Sequence, residues 1–533
     1  MTSQDIHSHS KGAEPNDETS DQSSPPDSKE SVSTAAATFD TAATPITSAA
    51  SDTPITSASL SFDEHGDKTT KGVASLRGKP KKALILVSIP ICVAVVVQSI
   101  YSIVDTFWVA GLGDEALGAI GLSFPYYMGL MAISTGIGVG TVSAISRSIG
   151  LRNKFKADQF ATHAMVFALI VGFLAWAFIP VTKYIFLFMG ANDSLASTSA
   201  DYLNVFLVFA FLIFVLNISV SILNSEGNSR KTMFATIVGV VLNIILDPIF
   251  IYDYGLGLGV KGAAYASICG FSASALLVLY WLFIEKKTYV SIHLKNFKMK
   301  WIVIKEILSV GVPAAVSQLT MSISGILLTS IVLFVGGQAG AAIYTTGWRL
   351  LSIGFMPMLG LSVGLTTLSG VSFGSKNIQK LKTSYYFAIR LGTALEFIIA
   401  AAFFIFAVPI AALFASGNSA HLHADLVIFL RYVCVILMII PVNILTIAML
   451  QGVKLGSYSL ILTLLRTLVF EVPAAYLLGI YFGMGLTGIW IGVILGDLLV
   501  TAISFAFGYK TIRKFKKLYP NPIDLNEPQP AQS

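Results

Sequence analysis

After about residue 80 the sequence is a succession of twelve apolar runs, near 84–109, 119–147, 160–189, 201–224, 233–252, 263–284, 304–334, 340–371, 384–414, 426–452, 457–481 and 486–509. Each is long enough to cross about 30 Å of hydrocarbon as a helix. The pattern predicts an all-α polytopic membrane protein. Composition agrees: of 533 residues, 54% are hydrophobic and 12% charged, with mean hydropathy +0.74, where soluble domains carry about a quarter charged residues. The formal charge of +6 does not indicate nucleic acid, because Lys and Arg fall in short clusters between apolar runs, as they do in cytoplasmic loops.

Those clusters follow the even-numbered runs: Arg152, Lys154 and Lys156 after span 2, Arg230 and Lys231 after span 4, and Lys286 to Lys300 after span 6. Lys376, Lys380 and Lys382 follow span 8, Lys454 follows span 10, and Lys510 to Lys517 follow span 12. The other connections carry Asp114, Glu115, Asp193, Asp201, Asp253 and Asp425, with Lys261 the main exception. Both termini are therefore expected on the cytoplasmic side. Residues 1–75, rich in Ser, Thr, Asp, Ala and Pro, are expected to form a disordered tail, since they hold too little apolar surface to offset the entropy of ordering. With no apolar h-region, the tail does not read as a signal peptide.

The two halves repeat. Gly136, Gly140, Ser148, Gly150, Asn153 and Lys156 match Gly360, Gly364, Ser372, Gly374, Asn377 and Lys380 at one constant offset, and Gly259, Gly262 and Gly270 match Gly485, Gly488 and Gly496. Six spans plus six is a duplicated transporter architecture with access between the halves, and an even number per half makes the repeat parallel. The expected division is an N-lobe at 80–285 (spans 1–6), a basic cytoplasmic linker at 286–303, a C-lobe at 304–510 (spans 7–12) and a C-terminal cytoplasmic tail at 511–533.

Several patterns have structural explanations. GLGVKG at Gly257–Gly262 and GMGLTG at Gly483–Gly488 fit G-x-G-x-x-G, but a dinucleotide site needs a βαβ unit around it; their recurrence at outer loops indicates helix-end glycines. HLHAD at His421–Asp425 has ligand-type residues in a polar loop without further Cys or His, and reads as solvated loop rather than metal site. Cys92, Cys269 and Cys434 lie singly inside apolar runs and read as packing residues. No cofactor is expected, nor an enzymatic motif such as HExxH.

Asp105 is different. A carboxylate in mid-bilayer costs roughly 2.5–3.5 kcal/mol by insertion scales and marks ion or substrate pathways. Gln98, Tyr101, Ser102 and Asp105 form a polar stripe on one face of span 1, a face suited to a cavity rather than lipid. Pro90 weakens the same helix and allows a bend. In span 5, Asn243 and Asp247 are four apart and share a face, and Pro248 leaves the Ile244 carbonyl without its helical donor. Such a set could hold a proton or sodium; it also suits an interfacial or interhelical hydrogen-bonding role.

The order of Pro90, Gln98, Asp105 and Gly113, the string GIGVGTVSAISRSIG at 136–150, NSEGNSRKTM at 224–233 and LNIILDPIF at 242–250 together resemble the multidrug and toxic-compound extrusion (MATE) family over about residues 80–515. The resemblance implies a V-shaped pair of six-helix bundles exporting cationic amphipathic compounds in exchange for protons or sodium. It implies that Asp105, Asn243 and Asp247 form the N-lobe ion site, with Gln98 lining the cavity, and that Pro90 bends span 1 when the aspartate is protonated. Many members carry a glutamate in span 7 where this chain has only Gln318, which resembles the branch related to the DNA-damage-inducible F protein. No family role transfers to Glu396, Arg466, Glu471 or Asp497, which are expected in internal salt bridges. The protein is expected as a monomer in the lipid bilayer of the plasma membrane, with organic cations or drugs as substrates. The alternative is a lipid-precursor flippase, which would need several Arg or Lys in its cleft to hold phosphate, and only Arg349, Arg431 and Arg466 are candidates.

Overall fold

The computed structural model describes residues 70–520 except 286, 296 and 415–421. Among the described residues the secondary structure is helical. Eleven helices are long and apolar enough to cross a membrane, and the pair Asp193–Val208 and Ala210–Ser225, bent by 51°, adds the twelfth crossing as span 4. The others in the first half are Pro80–Ala110 (span 1), Glu115–Gly150 (span 2), Lys154–Phe188 (span 3), Ser229–Ile251 (span 5) and Val260–Glu285 (span 6). In the second half Trp301–Gly354 is 54 residues long, but Gly337 interrupts it with φ 58°. Span 7 ends there, and span 8 runs on through Met356–Gly374. Spans 9 to 12 are Ile378–Ile405, His423–Gly452, Gly456–Tyr481 and Gly485–Leu518.

The sequence repeat is also a repeat of backbone conformation. Gly113 and Gly337 occupy equivalent positions between consecutive spans, and both have φ in the left-handed region, at 98° and 58°, where a side chain is strained. Arg152 and Lys376, also equivalent, adopt that region at 56° and 55° without being glycine. The turns they sit in are closed identically: Asn153 accepts from the Lys156 N–H at 2.9 Å and Asn377 from the Lys380 N–H at 2.8 Å, each capping the helix that follows. The two G-x-G-x-x-G strings are equivalent tight turns, with Gly257 and Gly483 both at positive φ. A side chain at Gly262 or Gly488 would run into the backbone of the preceding span.

The lobes meet at the end of the molecule that carries the basic connections. Span 2 crosses span 7 where Gly136 and Gly140 lie against the backbone at Ile307, Gly311 and Ala315. Span 8 crosses span 1 where Gly360 and Gly364 face Cys92 and Ser88. Gly150 and Gly374 face the carbonyls of Val371 and Arg147. These residues are small because two backbones approach too closely for a Cβ.

Two boundaries differ from the sequence reading. The segment read as tail to residue 75 is helical from Lys71 to Arg77, with Val73 and Leu76 fully buried. Lys380 donates to the Leu76 carbonyl at 2.7 Å and Arg77 to the Ile149 carbonyl at 3.4 Å, so this short helix touches both lobes. Span 12 continues to Leu518, past residue 510, because Thr511 and Ile512 remain buried. The linker is fastened to the N-lobe: Asp158 accepts from Ser291 N at 2.8 Å, and the His163 ring nitrogen Nε2 from Lys300 N at 3.0 Å.

Candidate functional site

Spans 5 and 6 cross at Gly239 and Gly270, where a Cβ on either glycine would stand 2.6 Å from the other's carbonyl oxygen. That crossing brings Asn243 of span 5 against Ser267 of span 6. The Asn243 amide donates to Asp247 Oδ1 at 3.2 Å and to Ser267 Oγ at 3.4 Å, and Ser267 Oγ pairs with the Tyr101 hydroxyl of span 1 at 2.8 Å. Asn243, Asp247 and Ser267 are buried. A continuous polar chain thus runs from span 1 to the span 5 carboxylate.

Asp105 lies one turn beyond Tyr101 on the same helix and is half-buried. Near it the end of span 1 is tied to span 5 by the Tyr252 hydroxyl, which donates to the Trp108 carbonyl at 2.8 Å. Asp105 Oδ1, Asn243 Oδ1 and Asp247 Oδ2 are all buried without a hydrogen-bond partner. Buried polar atoms are normally satisfied, so three orphaned oxygens within one lobe suit a group that is bound and released. They suit a proton or a monovalent cation; among the described residues no group of three or more His, Cys, Asp or Glu is placed to hold a metal ion.

Beside this cluster is a cavity of about 290 Å3 lined by neutral hydrogen-bonding groups, including Gln98, Tyr101, Thr135, Asn217, Asn243 and Ser267, interleaved with aliphatic side chains. Gln98 and Tyr101 line it, as the stripe on span 1 predicts. Ser102 does not; it is exposed, one position round the helix, and its carbonyl accepts from Thr106 at 2.8 Å. Pro90 is buried inside a continuous span 1. Ser267 was missed by the sequence reading; its signal is that Ser267, Gly270 and Ser274 share one face of span 6, at steps of three and four, and all three line the cavity.

The cavity lining contains no Lys, Arg, Asp or Glu. Of the cations that could serve phosphate, Arg466 donates to Asp497 at 2.8 Å with both side chains buried, while Arg349 and Arg431 are exposed, the latter over the Phe404 ring. Glu396 differs from the expected salt bridge: it is fully buried and neither carboxylate oxygen has a partner. Of HLHAD, His421 lies outside the described residues, and His423 pairs through Nε2 with the Val408 carbonyl at 3.2 Å.

A helical duplication with a polar cavity and buried carboxylates inside one lobe defines a multi-pass membrane transporter rather than an enzyme. The MatE family model matches residues 90–249 and 313–477, one match in each half, and the chain belongs to that family. It is 25% identical over 434 residues to the probable multidrug resistance protein NorM of Thermotoga maritima, covering 80% of this chain and 92% of that one. It is 25% identical over 341 residues to an FAD transporter of Shewanella oneidensis, covering 63% and 74%. A multidrug resistance MATE transporter of the MOP superfamily, solved in an outward-facing conformation, superposes with TM-score 0.82 at 41% identity, covering 84% of this chain and 99% of that chain.

Proposed function

We propose that the protein is a secondary antiporter that exports amphipathic organic cations and drugs by alternating access, driven by ions bound at Asp105, Asn243 and Asp247. The observation that carries this reading is the cluster of three orphaned buried oxygens, joined through Asn243, Ser267 and Tyr101 to the wall of the cavity. An ion moves a conformational equilibrium only by binding one state more tightly. A cluster that shares Tyr101 and Asn243 with the cavity lets loading of the acids and occupancy by substrate act on the same side chains. Gln98 and Tyr101 serve as cavity-lining contacts, and Pro90 allows span 1 to bend as Asp105 gains or loses its charge.

Protons are the favoured coupling ion. One proton removes a carboxylate's charge in a low-dielectric site, whereas sodium requires several oxygens around it, here Asp105, Asn243, Asp247 and the Ile244 carbonyl. The flippase alternative is disfavoured by a cavity without a basic residue to hold phosphate. The basic connections support an orientation with both termini in the cytoplasm of a cell whose plasma membrane the protein spans.

The test is efflux of fluorescent organic cations from liposomes containing the purified protein, with a pH gradient or a sodium gradient imposed alone. Drive by pH is expected, with Asp105→Asn and Asp247→Asn abolishing it while the protein still inserts and folds. Drive by sodium without a response to pH would reverse the choice of ion. No response to either, or near wild-type efflux by both variants, would overturn the coupling site.

A further inference from the structure

Arg147 of span 2 is buried, yet its guanidinium reaches across to the other lobe. It donates through Nη2 to Glu306 Oε1 of span 7 at 3.0 Å, and through Nη1 to Ser143 Oγ, one turn back on its own helix, at 2.7 Å. Ser143 Oγ in turn donates to the Gln451 carbonyl at the end of span 10, at 2.5 Å. Lys454, in the connection after span 10, donates to the same Glu306 oxygen at 3.2 Å. One arginine thereby gathers span 2 of the first lobe and spans 7 and 10 of the second into a single polar circuit at the basic end. The circuit sits beside the glycine crossings where the lobes meet.

Packing does not require this arginine. The equivalent position in the second repeat is Val371, fully buried, with its carbonyl facing Gly150 as the Arg147 carbonyl faces Gly374. The same backbone crossing is therefore made once around a valine and once around a guanidinium, and what the guanidinium adds is the tie to Glu306. We propose that Arg147 is the bolt that holds the lobes together at the basic end, and that it must release Glu306 whenever the cavity opens to that side.

Its chemistry suits a bolt that opens. Replacing a buried ion pair by apolar packing costs little, because its attraction is offset by desolvation. Separation at an opening interface returns both charges to water, so the closed state is held by a charge-assisted, geometrically specific contact without being locked. Removing one partner, by contrast, leaves the other poorly solvated while the end stays closed, and drives opening.

The proposal rests on alternating access, and its test reads the opening itself, whatever is carried. Cysteines replace the exposed residues Lys156 and Gln379, one in each lobe at the basic end, on a background with Cys92, Cys269 and Cys434 changed to alanine, and the distance between attached nitroxides is measured by pulsed electron resonance. Arg147→Gln and Glu306→Gln are each expected to raise the long-distance population about tenfold. The double variant should open less than either single change, because it leaves neither charge unpaired while the end is closed. Lys183→Gln, which breaks the exposed pair with Asp193 elsewhere on the N-lobe, should leave the distances alone. Unchanged distances in folded Glu306→Gln, whose carboxylate is one-third exposed and so tolerant of change, would overturn the proposal, as would fully additive effects in the double variant. Failure of drug transport with these shifts intact would count against the proposed substrate and leave the bolt standing.

Discussion

Glu226, at the turn between spans 4 and 5, is fully buried and accepts from neutral donors, the Tyr289 and Val290 N–H groups at 3.1 and 2.7 Å and the Asn228 amide at 3.3 Å. Burial pushes its carboxyl up from the ordinary 4.5 to about 7, Asp158 adds to the rise, and the hydrogen bonds offset part of it. A carboxyl whose folded pKa exceeds its unfolded one binds protons more readily in the folded state. Its contribution to stability is therefore greatest below about 4.5 and is lost as pH rises through 7. Thermal unfolding in detergent should accordingly show the melting temperature falling between pH 5 and 8, with Glu226→Gln flattening that slope; an unchanged slope in the variant would show that the dependence arises elsewhere. Glu226 and the polar cluster of spans 1, 5 and 6 mark the limits of what single residues disclose. Asp105, Asn243 and Asp247 were legible because a charge or amide inside an apolar run is costly wherever it points. Ser267 and Glu226 were not, since a serine is common inside spans and the glutamate sits in a polar string; only the fold shows that the first bonds to Tyr101 and the second is buried under the linker. Ser102 was misplaced because a stripe read in steps of three, four and seven is about one residue wider than the wall it lines.

Among the elements, the twelve crossings were legible from length and apolarity, which the bilayer imposes on each span separately. The interruptions were not. Span 4 bends by 51° near Phe209, inside an unbroken apolar run with no proline, and only neighbouring helices decide that. The short helix Lys71–Arg77 escaped notice for a related reason: seven residues with Val73 and Leu76 as the buried contacts give no usable periodicity, and so short a helix is held by docking rather than by propensity. Its docking makes a separable prediction. Deleting residues 1–69 should leave efflux near the wild-type rate, because all the described contacts remain. Deleting residues 1–78 removes Val73 and Leu76 from their sites and the Leu76 carbonyl from Lys380, and should lower thermal stability and reduce efflux severalfold. Equal behaviour of the two truncations, measured in the same liposomes, would show that the helix is dispensable.

At the scale of the whole molecule, the duplication puts equivalent residues from the two halves face to face at the basic end. Gly150 of span 2 packs on the Val371 carbonyl of span 8, and its repeat partner Gly374 packs on the Arg147 carbonyl of span 2. Each backbone occupies the space that a Cβ on the other would need. Backbone carbonyls in spanning helices cannot swing aside as a long side chain can, so a larger residue at either position opposes closure of that end. Gly374→Val is therefore expected to favour the conformation open at the basic end, with insertion and helix content unchanged. Gly129→Ala is the matched control, since a Cβ there meets nothing within 4 Å and the change favours a helix by about 1 kcal/mol. Measured with nitroxides at positions 156 and 379, Gly374→Val should shift the distribution to longer distances while Gly129→Ala keeps the wild-type one. Because this glycine contact and the Arg147 bolt close the same joint by different means, Gly374→Val combined with Arg147→Gln should give little further opening once the lobes have parted. A wild-type distribution in Gly374→Val would mean that the lobes can separate locally without opening the cavity, and that the closed end is held by something other than the crossing of the two repeats.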